Sequence, residues 1–151
     1  MSLILGTKAP DFAAPADDGS TFELSQLRGK RVLLVFYPGD DTPVCTAQLC
    51  EYRDGIEEFS DLNATVIGIS AQDAASHLRF KAKRQLPFTL LSDPDLEVAK
   101  MYGAKGLLGM KRATFLIDEQ GILRYQHVEV AALFRRTREQ LVDAIKALQP
   151  A

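Results

Sequence analysis

The chain carries two cysteines, Cys45 and Cys50, in the segment Pro38 to Cys50 (PGDDTPVCTAQLC). The segment follows a continuous apolar run, Arg31 to Tyr37 (RVLLVFY), that reads as a strand buried on both faces. From Cys45 onward, Leu49, Tyr52, Ile56 and Phe59 recur at helical spacing, so an amphipathic helix is expected over this stretch. The end of a buried strand where a helix opens is a favoured location for active sites in α/β proteins. Thr42 suits the N-cap and Pro43 the first helical position, which places Cys45 in the first turn. Unpaired backbone N–H groups and the helix dipole there favour negative charge, and therefore the thiolate, the nucleophilic form of cysteine. The plain alternative is that Cys45 is a small apolar core residue heading the helix's own stripe.

Cys50 tips the balance, because a second thiol offers a partner to an oxidised Cys45. On a regular helix, positions five apart diverge by about 140°, with Cα atoms ~8.6 Å from each other. A disulfide usually needs less than ~7 Å. The two can bond only if the helix start unwinds, which describes a redox switch rather than a staple. The spacing also departs from the C-x-x-C of thiol-disulfide reductases. A metal site lacks clear ligands, since the only histidines are His77 and His127 and no second cysteine pair exists. Each histidine reads as a surface or packing residue.

The remaining composition sets the context for this pair. Hydrophobic residues at 46% and charged residues at 25% suit a soluble globular chain, and a formal charge of -2 gives no general pull toward nucleic acid or anionic lipid. Arg135, Arg136 and Arg138 read as a solvated surface cluster. No apolar run approaches the ~20 residues that span a bilayer, and the N-terminus has no export signal pattern, so a reducing cytoplasm is expected. There, a useful disulfide would be transient.

The chain reads as one domain over 1–151, without repeats or linkers. Ala64 to Ser70 is a second buried strand, which completes a strand, helix, strand crossover. A helix over 73–84, a short strand at 88–91 and a helix over 95–102 follow. Strands at 113–117 and 122–126 are joined by the tight connection DEQG. Thr137 with Gln140 forms a capping box for a last helix bearing Leu141, Ile145 and Leu148. This order predicts an α/β protein with a mixed central sheet flanked by helices, for which the thioredoxin-like fold is the best-fitting architecture.

With these residues placed, the chain resembles the peroxiredoxins, specifically the peroxiredoxin Q or bacterioferritin comigratory protein subfamily. Pro38, Thr42 and Cys45 meet the signature P-x-x-x-T-x-x-C. Further matches are GTKAPDF, VFYPGDDTP, CTAQLCEYRD, LPFTLLSDPD, the Tyr102 and Gly103 pair, and RATFLID from Arg112. The resemblance implies a thiol-dependent peroxidase without cofactor or metal. It makes Cys45 the peroxidatic and Cys50 the resolving cysteine, joined in an intramolecular disulfide, and adds Thr42, Arg112 and Pro38 to the active site. It further implies a hydroperoxide substrate, thioredoxin or a similar reductant, and a monomer. The chain departs from the subfamily's usual pattern at Val44, where glycine is frequent, and at Gln48, where glutamate is frequent. On residues alone, Thr42 favours a cap and Arg112, beside Lys111, a surface ion pair, while Pro38 suits the end of the strand and the shielding of the sulfur equally. A protein thiol-disulfide oxidoreductase or a non-catalytic redox sensor would use the same cysteine pair.

Overall fold

The computed structural model describes residues 3–131 and 134–148. In chain order the elements are β1 (Ala13–Pro15), β2 (Thr21–Glu23), β3 (Arg31–Phe36), α1 (Pro43–Asp54), α2 (Ile56–Asp61), β4 (Ala64–Ser70) and α3 (Ala74–Arg84). After these come β5 (Thr89–Ser92), α4 (Glu97–Met101), β6 (Lys105–Gly106), β7 (Gly109–Met110), β8 (Ala113–Ile117), β9 (Leu123–Val128) and α5 (Arg138–Lys146). The central sheet has the order β5-β4-β3-β8-β9. β3, β4 and β5 run parallel, while β8 pairs antiparallel with both β3 and β9, so the sheet is mixed as expected.

Alternation along β3 divides the interior in two. Val32, Leu34 and Phe36 face one core with Ile67, Phe115 and Tyr102, whereas Leu33, Val35 and Tyr37 face another with Cys45, Leu49, Tyr52, Phe80, Leu116, Leu141 and Ile145. The second core therefore receives α1, α3 and α5 on one side of the sheet, and it holds both Cys45 and Leu49 fully out of water. α4 adds Val98 and Ala99 to the first core, so helices cover both faces of the sheet, and this arrangement is the thioredoxin-like α/β architecture.

Several expectations need correction. The stripe from Cys45 to Phe59 is carried by two helices, with a break at Gly55, whose backbone turns with φ −105° and ψ 14°. A Cβ there would lie 2.0 Å from Arg138 Cδ, so glycine lets the α5 start pack against the break. α4 is shorter than the 95–102 expected, because the Asp93 carboxylate accepts from Val98 N–H and Ala99 N–H, and Leu96, with φ 59°, precedes the first turn. The β1–β2 pair and the β6–β7 hairpin were not anticipated. Arg135, Arg136 and Arg138 are half-buried rather than a solvated cluster, since they pack onto Glu51, His127 and Glu58 respectively. The capping box at Thr137 and Gln140 forms as read.

Candidate active site

β3 delivers the chain to Pro38, and a loop carries it to the start of α1. Thr42 occupies the N-cap with extended backbone, Pro43 takes the first helical position, and Cys45 sits in the first turn with no exposure to solvent. The first intrahelical bond runs from Thr46 N–H to the Thr42 carbonyl, so the amides of Val44 and Cys45 lie ahead of the helical ladder. Here the structure corrects the capping role of Thr42: its side chain makes no cap. Oγ1 instead donates to the Gly39 carbonyl at 2.9 Å. The short loop Gly39 to Thr42 closes on itself, and the amides at the helix start are left uncapped by that side chain.

The loop is held from below by a buried polar cluster. Asp40 accepts from Tyr37 Oη at 2.6 Å and from Ser76 Oγ at 2.7 Å, and its Oδ2 lies 2.8 Å from His77 Nδ1. The Asp40 N–H donates to Gln72 Oε1. Burial alone would raise the Asp40 carboxyl. The hydrogen bonds from His77, Tyr37 and Ser76 outweigh it and hold the group below its usual value. Tyr37 is pushed well above the usual phenol range, by burial first and then by the charge of Asp40 and the hydrogen bond to it. Gly68 on β4 makes room for that ring, since a Cβ there would lie 3.2 Å from Tyr37 Cε1. His77, remote from the cysteines in sequence, is thus a fully buried partner of the loop that precedes Cys45. His127 is elsewhere, paired with Glu129 at 3.1 Å.

Arg112 is the clearest departure from a plain residue-by-residue reading. It is 3% exposed rather than a surface ion pair, because it immediately precedes β8, the strand hydrogen-bonded to β3. Its Nη1 donates to Gln48 Oε1 at 2.6 Å, on the same helix as Cys45 and three residues further along. Gln48 Nε2 in turn donates to Tyr52 Oη at 3.1 Å, and Tyr52 Oη donates to the Arg136 carbonyl at 2.6 Å. Pro38 and Arg112 line one cleft of about 870 Å³, together with Lys105, Met110, Glu129 and the fully exposed Leu107 and Leu108 of the β6–β7 connection. Cys50 is half-buried on α1, and both cysteines are free thiols within the one helix. Among the described residues, no three His, Cys, Asp or Glu side chains are placed to hold a metal ion. No helix of the described residues is long and apolar enough to cross a membrane.

The site therefore joins a buried thiol at an uncapped helix start, an arginine reaching the same helix, and a cleft lined by both Pro38 and that arginine. A family model described as the AhpC/TSA family matches residues 5–126. The chain belongs to that family. It is 45% identical over 131 residues to a putative peroxiredoxin bcp of Coxiella burnetii, covering 82% of this chain and 87% of that protein. It is 36% identical over 157 residues to the peroxiredoxin Bcp of Bacillus subtilis, covering 99% and 97%. The crystal structure of the peroxidoxin BcpB from Mycobacterium tuberculosis superposes with a TM-score of 0.85 at 31% identity, over 97% of this chain and 98% of that one. Thiol-dependent peroxidase activity goes with this membership, as do a hydroperoxide substrate and a dithiol reductant of thioredoxin type. Gln48, Tyr52, Asp40 and His77 were not singled out as site residues by sequence reasoning. Gln48 was noted only as a departure from the subfamily pattern; that position, and the spacing of Gln48 and Tyr52 one and two helical turns beyond Cys45, could have suggested the first pair.

Proposed function

We propose that Cys45 is the peroxidatic cysteine of this enzyme and Cys50 its resolving partner, in one thioredoxin-like domain that works as a cytoplasmic monomer. The observation that carries this reading is the burial of Cys45 at the N-terminal turn of α1, with Arg112 bonded to the same helix through Gln48. The Cys45 thiolate attacks the terminal oxygen of a hydroperoxide. An S–O bond forms, the O–O bond breaks, and hydroxide or alkoxide leaves and takes up a proton, so that sulfur is oxidised to sulfenic acid while the peroxide is reduced to water or alcohol. The Arg112 guanidinium and the amides ahead of the helical ladder stabilise negative charge as it moves from sulfur to oxygen.

Thr42 has committed its hydroxyl hydrogen to the Gly39 carbonyl, so toward a peroxide it acts as an acceptor of the O–H proton. Pro38, with no N–H of its own, forms an apolar part of the lining of the cleft that Arg112 also lines. The Cys50 thiol then condenses with the sulfenic acid. Water leaves, a disulfide forms, and thioredoxin returns both cysteines to thiols. The complete burial of Cys45 weighs against a primary role on protein disulfides, since a partner's sulfur could not reach it without unfolding. Peroxide consumption with thioredoxin and its reductase tests the assignment: Cys45→Ser should abolish turnover, because a serine hydroxyl stays protonated. Substantial turnover in that variant would remove Cys45 from the nucleophile role.

A further inference from the structure

His77 takes no part in the peroxide chemistry, yet it is fully buried and both of its ring nitrogens are engaged. Nε2 lies 3.0 Å from the Leu91 carbonyl, which can only accept, so this nitrogen carries a hydrogen. Nδ1 lies 2.8 Å from Asp40 Oδ2, and Asp40 already takes hydrogens from Tyr37 Oη and Ser76 Oγ. Those two bonds favour the ionised carboxylate, which accepts and does not donate, so Nδ1 carries a hydrogen as well. An imidazole with hydrogens on both nitrogens is a cation. The contact is thus a buried, charge-assisted pair of imidazolium and carboxylate. Nearby charges have partners of their own: Lys83 and Arg84 with Asp41, and Lys81 with Asp17, while Asp73 accepts from the Ser76 N–H and Asp93 from the first amides of α4.

The pair joins the opening turn of α3 to the loop that starts α1. That loop carries the helix directly, since the Thr42 hydroxyl donates to the Gly39 carbonyl and the Thr42 carbonyl accepts from the Thr46 N–H. Within it Asp41 has a left-handed backbone, φ 61°, and is bound to Lys83 and Arg84 at the far end of α3. Beyond the cysteines, α1 is anchored by Tyr52, whose hydroxyl donates to the Arg136 carbonyl. A Cys45–Cys50 disulfide must bring two Cα atoms from ~8.6 Å to less than ~7 Å. The turn between these two anchors has to open first, and a loop fixed to α3 resists that opening.

We propose that His77, with hydrogens on both ring nitrogens, is a positioning residue that latches the Cys45 turn shut through Asp40, and so divides oxidised Cys45 between two fates. The proposal rests on the reading of Cys45 as the nucleophile and Cys50 as its partner. Once the turn opens, the Cys50 thiol displaces water from the sulfenic acid and a disulfide forms. While it stays closed, a second hydroperoxide can transfer an oxygen to the same sulfur, giving sulfinic acid and water or alcohol. A tighter latch therefore favours the sulfinic acid, and a looser one favours the disulfide.

The first test is the ring of His77 in the reduced, 15N-labelled full chain at pH 7, with its signals assigned by their loss in His77→Gln. Long-range 1H–15N correlation should show a hydrogen on each nitrogen. The second test follows His77→Gln, which keeps a neutral donor and removes the charge, after its native fold is checked by circular dichroism. Quenched single turnovers with hydrogen peroxide, read by mass, give the rates of sulfenic acid and disulfide formation and the yield of sulfinic acid at excess peroxide. Losing one hydrogen bond to a charged group should make opening about tenfold more frequent. Disulfide formation should accelerate by about that factor and the sulfinic yield should fall with it. The closed state still predominates, so the first oxidation should slow by about twofold at most. A loss of overall stability alone would not produce this split. Amides over 39–50 should exchange about tenfold faster, with β3 and β4 unchanged.

A bare ring nitrogen on His77 at pH 7 overturns the charged latch, and so does an unchanged ratio of disulfide to sulfinic acid in folded His77→Gln. If His77→Gln does not fold, His127→Asn assigns the ring signals by elimination. Ser76→Ala, which takes one hydrogen bond from Asp40, then replaces it in the rate measurements, and an unchanged ratio there is equally decisive. A wild type that forms no disulfide would refute Cys50 as partner, whereas the ring signals and the exchange of 39–50 would still decide whether His77 holds the turn.

Discussion

Leu49→Ala should make the Cys45–Cys50 disulfide harder to reduce, although Leu49 touches neither peroxide nor reductant. Both cysteines lie on one continuous helix, where the ideal separation of ~8.6 Å between their Cα atoms forbids a bond. A disulfide between them would therefore require the segment between them to unwind. Helix propagation is nearly neutral per residue, so the cost of unwinding lies mainly in the side chains withdrawn from the core. Leu49 is fully buried in the reduced enzyme, in the core shared by Leu33, Val35 and Leu141. Its truncation should destabilise the reduced, helical state by about 3 kcal/mol, at the lower end of buried leucine-to-alanine changes. The unwound state has already released that side chain and should lose little. For a two-electron couple, 1.4 kcal/mol corresponds to about 30 mV, so the potential should fall by about 60 mV. Equilibration against a dithiol redox buffer, followed by mass measurement of alkylated thiols, gives the potential directly. Hydrogen exchange should show amides from Thr46 to Tyr52 exchanging faster in oxidised protein, with β3 and β4 unchanged. A Leu49→Ala potential within a few millivolts of the wild type would mean that Leu49 stays packed in both states, and the unwinding argument would fail.

Cys50→Ser should still consume one equivalent of peroxide and then stall, with the Cys45 sulfenic acid trapped by a dimedone probe; undiminished cycling with thioredoxin would show that Cys50 does not resolve. Asp40→Asn should cost about 3 kcal/mol at neutral pH, since it removes a buried carboxylate bonded to Tyr37, Ser76 and His77. The Asp40 carboxyl titrates lower in the folded than in the unfolded chain, so its contribution is complete above about pH 4, the unfolded value, and is lost as pH falls through the folded one. Urea midpoints for wild type and variant should accordingly converge in acid, and a gap of constant size from neutral to acid pH would refute the role of the charge.

What the sequence made legible was local. Thr42, Pro43 and Cys45 place a thiol in the first turn of a helix because capping and the proline's fixed φ act over three or four residues. The capping box at Thr137 and the buried strands at Arg31 and Ala64 are readable for the same reason, since their signals lie within one turn or one alternation. The break at Gly55 was hidden because the apolar stripe runs on through Ile56 and Phe59. What ends α1 is a close approach by Arg138, more than eighty residues away in the chain.

The surroundings of Cys45 depend on such distant pairings far more than the position of the cysteine itself does. Beside Lys111, Arg112 has the local composition of a surface pair; only the β3–β8 register carries it inward, and only then does Gln48 become its acceptor. Asp40 and His77 share no sequence pattern, and meet because α3 packs across the end of β3. Thr42 shows the limit in the other direction. Its cap propensity was read correctly for position and incorrectly for the hydroxyl, which the tight loop turns toward Gly39. The place of the proposed nucleophile can thus be read from a helix start, whereas the groups packed around it are contributed by strands and helices brought together only by the completed sheet.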